Sequence, residues 1–139
     1  MNARVTTKVT IRASPEHVFK FLSHLQYHPL WNPPLEKVIP KRGELHSGSQ
    51  YISVSTLFGM TMQANNTVSL LVPSKAICIE NTTGTLHELD GQTVVQCKTM
   101  ISADSKAFAF AKPILSKLAR AELQADLRAL KKLAEQKPE

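Results

Sequence analysis

The sequence has few of the residues that stabilise small secreted folds. It contains only two cysteines, Cys78 and Cys97, which are too few for a disulfide framework. We expect both to be buried thiols that behave as small hydrophobic residues. No segment approaches the roughly 20 apolar residues that a membrane span requires. The first eight residues, which include Arg4 and Lys8, lack the apolar stretch of a signal peptide. The cytoplasm is therefore the expected compartment.

The common catalytic motifs are also missing. There is no Gly-rich phosphate loop, no Gly-x-Ser-x-Gly elbow and no His-Glu-x-x-His sequence. His24 and His28 are four residues apart, but Pro29 interrupts the helix there and the neighbourhood offers no further ligands. We predict no metal site and no cofactor, and we assign no residue a catalytic role.

Length and composition indicate an ordinary globular protein. The 139 residues, 42% of them apolar and 20% charged, fit a single domain over residues 1–139, with a loose tail from about residue 135. The net charge is +6, and residues 106–139 carry eight Lys or Arg against four acidic residues. This basic segment is either a solvated helix face or a patch that contacts an anionic membrane. No nucleic-acid partner is predicted, because aromatic residues are not interleaved with the basic ones.

Residue periodicity predicts the first elements. Val5–Arg12 alternates apolar and polar residues, which is typical of a half-buried strand. Ser14 and Pro15 form a helix start, and apolar residues then recur at helical spacing. Tyr27–Trp31 predicts a second short helix. The residues expected on the buried face of the first helix are Val18, Phe19, Leu22 and Leu25.

The middle of the chain lacks helical periodicity and predicts six strands joined by short turns, of which Asp90-Gly91 is the strongest hairpin signal. Such short connections require antiparallel neighbours. The predicted strands are Leu35–Ile39, Gln50–Leu57, Met60–Leu71, Lys75–Thr82, Thr85–Glu88 and Gln92–Ser102.

A long helix is predicted from Lys106 onward. Pro113 either kinks it or marks its first turn, in which case Phe108 and Phe110 lie in a preceding loop. Its apolar stripe must pack on the sheet, because an isolated helix is unstable in water. The stripe consists of Leu115, Leu118, Leu123, Leu127, Leu130 and Ala134. The fold class is therefore α+β.

Several fragments in this order carry a family resemblance: Ile11–Leu22, Trp31-Asn-Pro33, Val68–Pro73 with Gly84, Asp90–Val95, and the Leu-rich C-terminal helix. From about residue 3 to about residue 135 the chain resembles the START-like or Bet v 1-like superfamily (polyketide cyclase/dehydrase and lipid transport, SRPBCC). The resemblance implies a helix-grip fold, in which a curved seven-stranded antiparallel sheet surrounds the long C-terminal helix and two short helices follow the first strand. A cavity lies between sheet and helix. The chain departs from the family pattern at Asn32, which separates Trp31 from Pro33, and at Ser23-His24, where an Asp is usual.

Strand alternation and the resemblance together give a set of candidate cavity residues. One strand face carries apolar residues with a few polar groups, which is typical of a small-molecule site, although the same residues would also serve as core. The expected cavity residues are Trp31, Tyr51, Ser53, Met60, Met62, Asn66, Ile77, Ile79, Val95, Phe108, Phe110, Ile114, Leu115 and Leu118. By the same alternation, Glu80 should face solvent.

Three functions remain open at this point. The first is binding of an apolar or amphipathic small molecule, such as a lipid, an isoprenoid or a polyketide-like compound. The second is a cyclase or dehydratase that uses the same cavity, which would need an ionisable group pointing inward. The third is an interaction domain at a membrane or on another protein. The weak candidates for proton transfer are Tyr51, Asn66, His87 and Glu88. The oligomeric state is not indicated.

Overall fold

A computed structural model describes residues 2–57, 59–102 and 106–137. Its strands, in chain order, are β1 (Asn2–Ile11), β2 (Leu35–Ile39), β3 (Gln50–Leu57), β4 (Met60–Val72), β5 (Ala76–Ile79), β6 (Thr82–Leu89) and β7 (Gln92–Ser102). The helices are α1 (Pro15–Ser23), α2 (His28–Trp31) and α3 (Lys106–Gln136), and a 3₁₀ turn (Leu25–Tyr27) precedes α2.

The seven strands form one curved antiparallel sheet in the order β1-β7-β6-β5-β4-β3-β2. Strands β2 to β7 form a meander of sequential neighbours, and β1 pairs with β7 at its end, with Val9 opposite Val95. In β1 the side chains of Val5, Thr7 and Ile11 are buried, as the alternation predicted, because that face packs under α3. The predicted α+β helix-grip architecture is confirmed.

The two short helices close one end of the sheet. Ser14 caps α1 by accepting a hydrogen bond from the backbone N–H of His17 at 3.2 Å, and Pro15 occupies the first helical position. Val18 and Phe21 are almost completely buried and join the α1 helix to the core. The predicted second short helix is present as the 3₁₀ turn followed by α2.

The C-terminal helix α3 is continuous through Pro113. The backbone of residues 108–110 is helical, so the expectation that a loop precedes Pro113 is wrong; their side chains lie outside the described part of the chain. Among the described side chains of α3, burial is concentrated towards the C-terminal end, where Leu130 and Ala134 are 1% exposed. This half packs on β1, with the Nζ of Lys131 donating to the carbonyl oxygen of Thr10 at 2.8 Å.

A loose tail was expected from about residue 135. Glu135 lies inside α3, where its Oε2 accepts hydrogen bonds from Lys131 Nζ and from the backbone N–H of Arg12, both at 2.8 Å. Among the described helices, none is both long and apolar enough to cross a bilayer.

One strand boundary also differs from the prediction. The turn between β5 and β6 falls at Glu80 and Asn81, and Gly84 lies within β6 instead of in a turn. Glu80 can make this turn because it adopts a positive φ of 52° and its Oε1 accepts a hydrogen bond from the backbone N–H of Thr67 at 2.7 Å. Cys78 in β5 and Cys97 in β7 are separated by β6; both are free and half-buried, so they are less enclosed than predicted.

Candidate functional site

A cavity of about 400 Å³ lies between the concave face of the sheet and the C-terminal half of α3. This volume falls in the range of small-molecule sites, which is about 300–1,000 Å³. Its wall is formed by Leu22, His28, Trp31, Asn32, Leu35, Tyr51, Ser53, Ser55, Asn66, Ile77, Ile79, Glu80, Thr82, Gly84, Val95, Cys97, Thr99, Ala119, Glu122, Leu123, Asp126, Leu127 and Leu130.

The apolar part of the wall comes from neighbouring strands and from the facing helix. Gly84 in β6 pairs with Ile77 in β5 on one side and with Cys97 in β7 on the other, and Val95 lies two residues before Cys97. Leu127 of α3 closes the opposite side of the cavity. Gly84 leaves open space, because a Cβ built there would meet only Ile77, with Cγ2 at 3.7 Å. A larger residue at this position would occupy part of the cavity.

Aromatic side chains form the end of the cavity next to α2. The indole Nε1 of Trp31 donates to the carbonyl oxygen of Phe21 at 2.8 Å, so this side chain both anchors α2 and lines the cavity. The ring of His28 packs against Trp31 and Tyr51, with centroid distances of 5.0 and 5.9 Å. Its Nε2 donates to the carbonyl oxygen of Leu22 at 2.8 Å. Burial lowers the pKa of His28, which leaves it neutral at pH 7.

A few polar groups are fixed on the sheet. The Nδ2 of Asn66 donates to Ser53 Oγ at 3.0 Å, and the hydroxyls of Thr82 and Thr99 are 2.9 Å apart. Burial, followed by the charge of Glu80, raises the pKa of the Tyr51 hydroxyl to about 12, so it remains a hydrogen-bond donor at neutral pH. An apolar wall with a small number of oriented donors and acceptors can fix the orientation of a bound molecule.

The expectation that Glu80 simply faces solvent is incomplete. Its side chain is exposed, yet it also borders the cavity, where its charge reaches Tyr51. Glu80 also borders the cavity because β5 ends at Ile79 and Glu80 lies in a turn with positive φ. Strand alternation does not determine the direction of a side chain outside the strand.

Sequence reasoning did not identify Asp126, the most perturbed carboxyl group at the site. It projects from α3 onto the cavity wall, and its Oδ1 is buried without a hydrogen-bond partner. Burial, with a smaller contribution from the charge of Glu122, raises its pKa to about 7. Asp126 in turn contributes to the raised pKa of Cys97, about 11, although burial of the thiol is the larger cause. A carboxyl group with these properties can hold or release a proton near neutral pH.

A signal for Asp126 was present in the sequence. It lies three residues after Leu123 and four before Leu130, which places it on the same face of the helix as the apolar stripe. The same spacing puts Glu122 at the border of that face, one turn before Asp126.

The structure brings seven of the predicted residues together on the cavity wall: Trp31, Tyr51, Ser53, Asn66, Ile77, Ile79 and Val95. Whether they contact a ligand stays a prediction. Of the proton-transfer candidates, Tyr51 and Asn66 lie on the wall, whereas His87 and Glu88 are exposed elsewhere on β6.

The remaining predicted residues do not line the cavity or are not described. Met60 and Met62 are 63% and 49% exposed, because they lie beyond the part of the sheet that α3 covers. Ile114 and Leu118 are 65% and 52% exposed, since they lie on a different face of α3 from Leu123 and Leu130. The side chains of Phe108, Phe110 and Leu115 fall outside the described part of the chain.

Two cationic side chains of α3 bind backbone carbonyl oxygens of β1. Arg120 of the basic helix donates from Nη1 to the carbonyl oxygen of Thr6 at 3.1 Å, and Lys131 is bound to β1 as described above. These two cations therefore stabilise the fold and are not available as a free basic patch. Within residues 2–57, 59–102 and 106–137, no three His, Cys, Asp or Glu side chains are arranged to hold a metal ion.

The sequence matches a known protein family over most of its length. A family model described as polyketide cyclase / dehydrase and lipid transport matches residues 2–135. A comparison with curated proteins returned no match.

Solved structures give the same fold at low identity. A START superfamily protein from Mycobacterium smegmatis is 18% identical, with a TM-score of 0.75 and coverage of 96% of this chain and 97% of that one. Ara h 8.0201 is 11% identical, with a TM-score of 0.71 and coverage of 99% and 100%. The di-domain ARO/CYC protein StfQ from the steffimycin biosynthetic pathway is 13% identical, with a TM-score of 0.79; the match covers 98% of this chain and 52% of StfQ.

Proposed function

Because this chain belongs to the polyketide cyclase / dehydrase and lipid transport family, we propose that it binds an apolar or amphipathic small molecule between the sheet and α3. The observation that carries the proposal is the cavity of about 400 Å³, with its apolar wall and few oriented polar groups. A packed core would leave few voids larger than a water molecule. Lipid, isoprenoid and polyketide-like compounds all have the required apolar body.

The residues of the cavity wall predict which groups would contact a ligand. The apolar body would lie against Ile77, Ile79 and Val95 on the sheet and Leu127 on the helix. Trp31 would stack at the α2 end, and hydroxyl or carbonyl groups would pair with the Tyr51 hydroxyl.

Native mass spectrometry of protein purified from its own host tests this proposal, followed by extraction of whatever is bound. We expect a co-purifying apolar compound of defined mass, released on denaturation. A protein that is empty in this assay and also binds no neutral aromatic probe would contradict the proposal.

A cyclase or dehydratase is a second candidate, and Asp126 is the observation that favours it. One of the structures with this fold is an ARO/CYC protein. A buried carboxyl group with a pKa of about 7 could accept a proton from carbon or donate one to a departing hydroxyl while the cavity excludes water. Tyr51 could donate a hydrogen bond to a substrate carbonyl from the other side of the cavity.

The enzyme reading has its own test. Poly-β-ketone mimics would be incubated with the wild-type protein and with Asp126→Asn, and cyclised or dehydrated products would be measured. Turnover that Asp126→Asn lowers by about 100-fold or more would match the usual contribution of a general acid or base. Binding of the mimic without turnover would support the binding proposal and contradict the proposed enzyme activity.

A further inference from the structure

The charged side chains on the cavity wall are all acidic, which is unexpected in a protein with a net charge of +6. Glu122 and Asp126 project from α3, and Glu80 stands at the border on the side of the sheet. Among the described residues that line the cavity, there is no Lys or Arg.

The cations of α3 that could have balanced these carboxylates are directed elsewhere. Arg120 and Lys131 donate to backbone carbonyl oxygens of β1 at 3.1 and 2.8 Å. Glu135 is the acidic partner of Lys131, one turn further along the helix. Arg120 and Lys131 are thus engaged on the β1 side.

The other titratable groups on the wall cannot neutralise Asp126 either. Its neighbour across the cavity is the thiol of Cys97, and its neighbour on the helix is the carboxylate of Glu122. His28 and Tyr51 are buried at the α2 end, and both are uncharged at neutral pH because burial disfavours their ionised forms. Asp126 therefore lacks a cationic partner on the cavity wall, and its Oδ1 lacks any hydrogen-bond donor.

This arrangement separates possible ligands by charge. A carboxylate or phosphate buried beside Glu122 and Asp126 would be repelled and would find no cation on the described wall. A protonated amine would supply the missing charge and the missing donor, and charge-assisted hydrogen bonds are the stronger ones. The neighbouring apolar side chains would still accommodate an apolar body.

We propose that the cavity takes an amphipathic molecule with an apolar ring or chain and a protonated amine, whose ammonium group lies against Asp126 and Glu122. The inference rests on the proposed function, since it names the class of ligand for the same cavity. It excludes free fatty acids and other anionic lipids as preferred ligands.

Three probes that share one ring system test the charge preference: 2-naphthylmethylamine, 2-naphthylmethanol and 2-naphthoic acid. Their affinities would be measured by isothermal titration calorimetry at a pH of about 8, where the amine remains protonated as a Lys side chain does. We expect the amine to bind at least about tenfold more tightly than the acid, which corresponds to about 1.4 kcal/mol. The affinity for the alcohol should lie between those for the amine and the acid.

Variants of the wall carboxylates identify which group produces the preference for the amine. Asp126→Asn keeps the size of the side chain and should reduce the preference for the amine over the acid by at least about fivefold. Asp90→Asn is the matched control: it removes the same charge from an exposed turn, where Asn tolerates the φ of 53°. It should keep the preference of the wild type. Glu122→Gln provides a second test if Asp126→Asn does not fold.

The outcomes distinguish this inference from the proposed function. If the alcohol binds but the acid binds as well as the amine, or if neither Asp126→Asn nor Glu122→Gln changes the preference, the inference is wrong and the binding function stands. If none of the three probes binds, the cavity is not a site for molecules of this class, and both proposals fail.

Discussion

The imidazole Nε2 of His17 lies 3.0 Å from the carbonyl oxygen of Ala134, which is 117 positions later in the chain. A carbonyl oxygen only accepts, so Nε2 carries the proton and donates. The contact is buried and attaches the last turns of α3 to α1. It thereby fixes the C-terminal end of α3 against α1.

His17→Ala is expected to lower the free energy of unfolding by about 1–3 kcal/mol, because it removes this hydrogen bond and leaves a buried carbonyl group without a donor. The substitution also removes the edge contact between the rings of His17 and Phe21, whose centroids are 5.2 Å apart. Urea denaturation followed by circular dichroism would measure the change. His46→Ala, at an exposed loop position, serves as the control and should change stability little. Equal stabilities for the two variants would contradict the anchoring role.

Asp126 should make the protein less stable as the pH rises. Its pKa is about 7 in the folded state, against 3.8 when unperturbed, so the folded state holds the proton more tightly. Its stabilising contribution is complete below about pH 4 and is lost as the pH rises through about 7. Asp126→Asn should remove this dependence and raise the unfolding free energy at pH 8, by on the order of 2 kcal/mol. Stability curves at several pH values, with Asp90→Asn as the control, would show whether the slope disappears.

Two positions on different faces of α3 should differ sharply in their sensitivity to mutation. Leu130 is 1% exposed and packs in the core, so Leu130→Ala should destabilise the protein by about 2–5 kcal/mol. Ile114 is 65% exposed, and Ile114→Ala should change stability by less than about 0.5 kcal/mol. Thermal or urea unfolding of the two variants compares them directly. Similar losses for both would mean that Ile114 packs against the rest of the protein and contradict its exposed position.

Filling the cavity should block binding without unfolding the protein. Gly84→Leu directs a side chain into open space next to Ile77, and β6 needs no positive φ at this position. We expect affinity for the neutral dye prodan to fall by at least about tenfold, since the residue removes part of the space for the ligand. Fluorescence titration measures the affinity. Thr85→Val, which adds an apolar side chain at the next and outward-facing position, should bind the dye as the wild type does.

Most of the sheet and its inward face could be predicted from the sequence. Alternation has a period of two and holds along β3, β5 and β7, so Tyr51, Ile77 and Val95 lie on the cavity face as expected. In β4 the bulge between Val68 and Leu70 interrupts it, and Ser69 and Leu70 are both exposed. Alternation does not reveal how far the helix extends over that face. For this reason Met62, which pairs with the cavity residue Ser55, was expected on the wall but is exposed.

The helix side of the cavity was harder to predict. The apolar stripe was recognised, but the sequence did not show which part of α3 meets the sheet, and the contact falls at Ala119–Leu130 instead of at Ile114 and Leu118. An acidic residue within a stripe of leucines is usually assigned to solvent, since buried carboxyl groups are rare. The spacing of Asp126 places it on the apolar face of α3, but its burial on the cavity wall follows only from the position of the opposing sheet.

The position of β1 has a consequence for the order in which the protein acquires its structure. β1 is made before the other strands, yet among the described strands it pairs with β7 alone, with Thr10 opposite Val94. The helix that covers it follows β7 in the chain. The hairpins from β2 to β6 join neighbours in the chain and can pair during synthesis, whereas β1 has to wait for β7. We expect the first ten residues to stay unprotected on a ribosome-bound chain that ends before Gln92, and to gain protection from hydrogen exchange once β7 has emerged. The chain thus closes into its final form by joining its earliest segment to its latest ones.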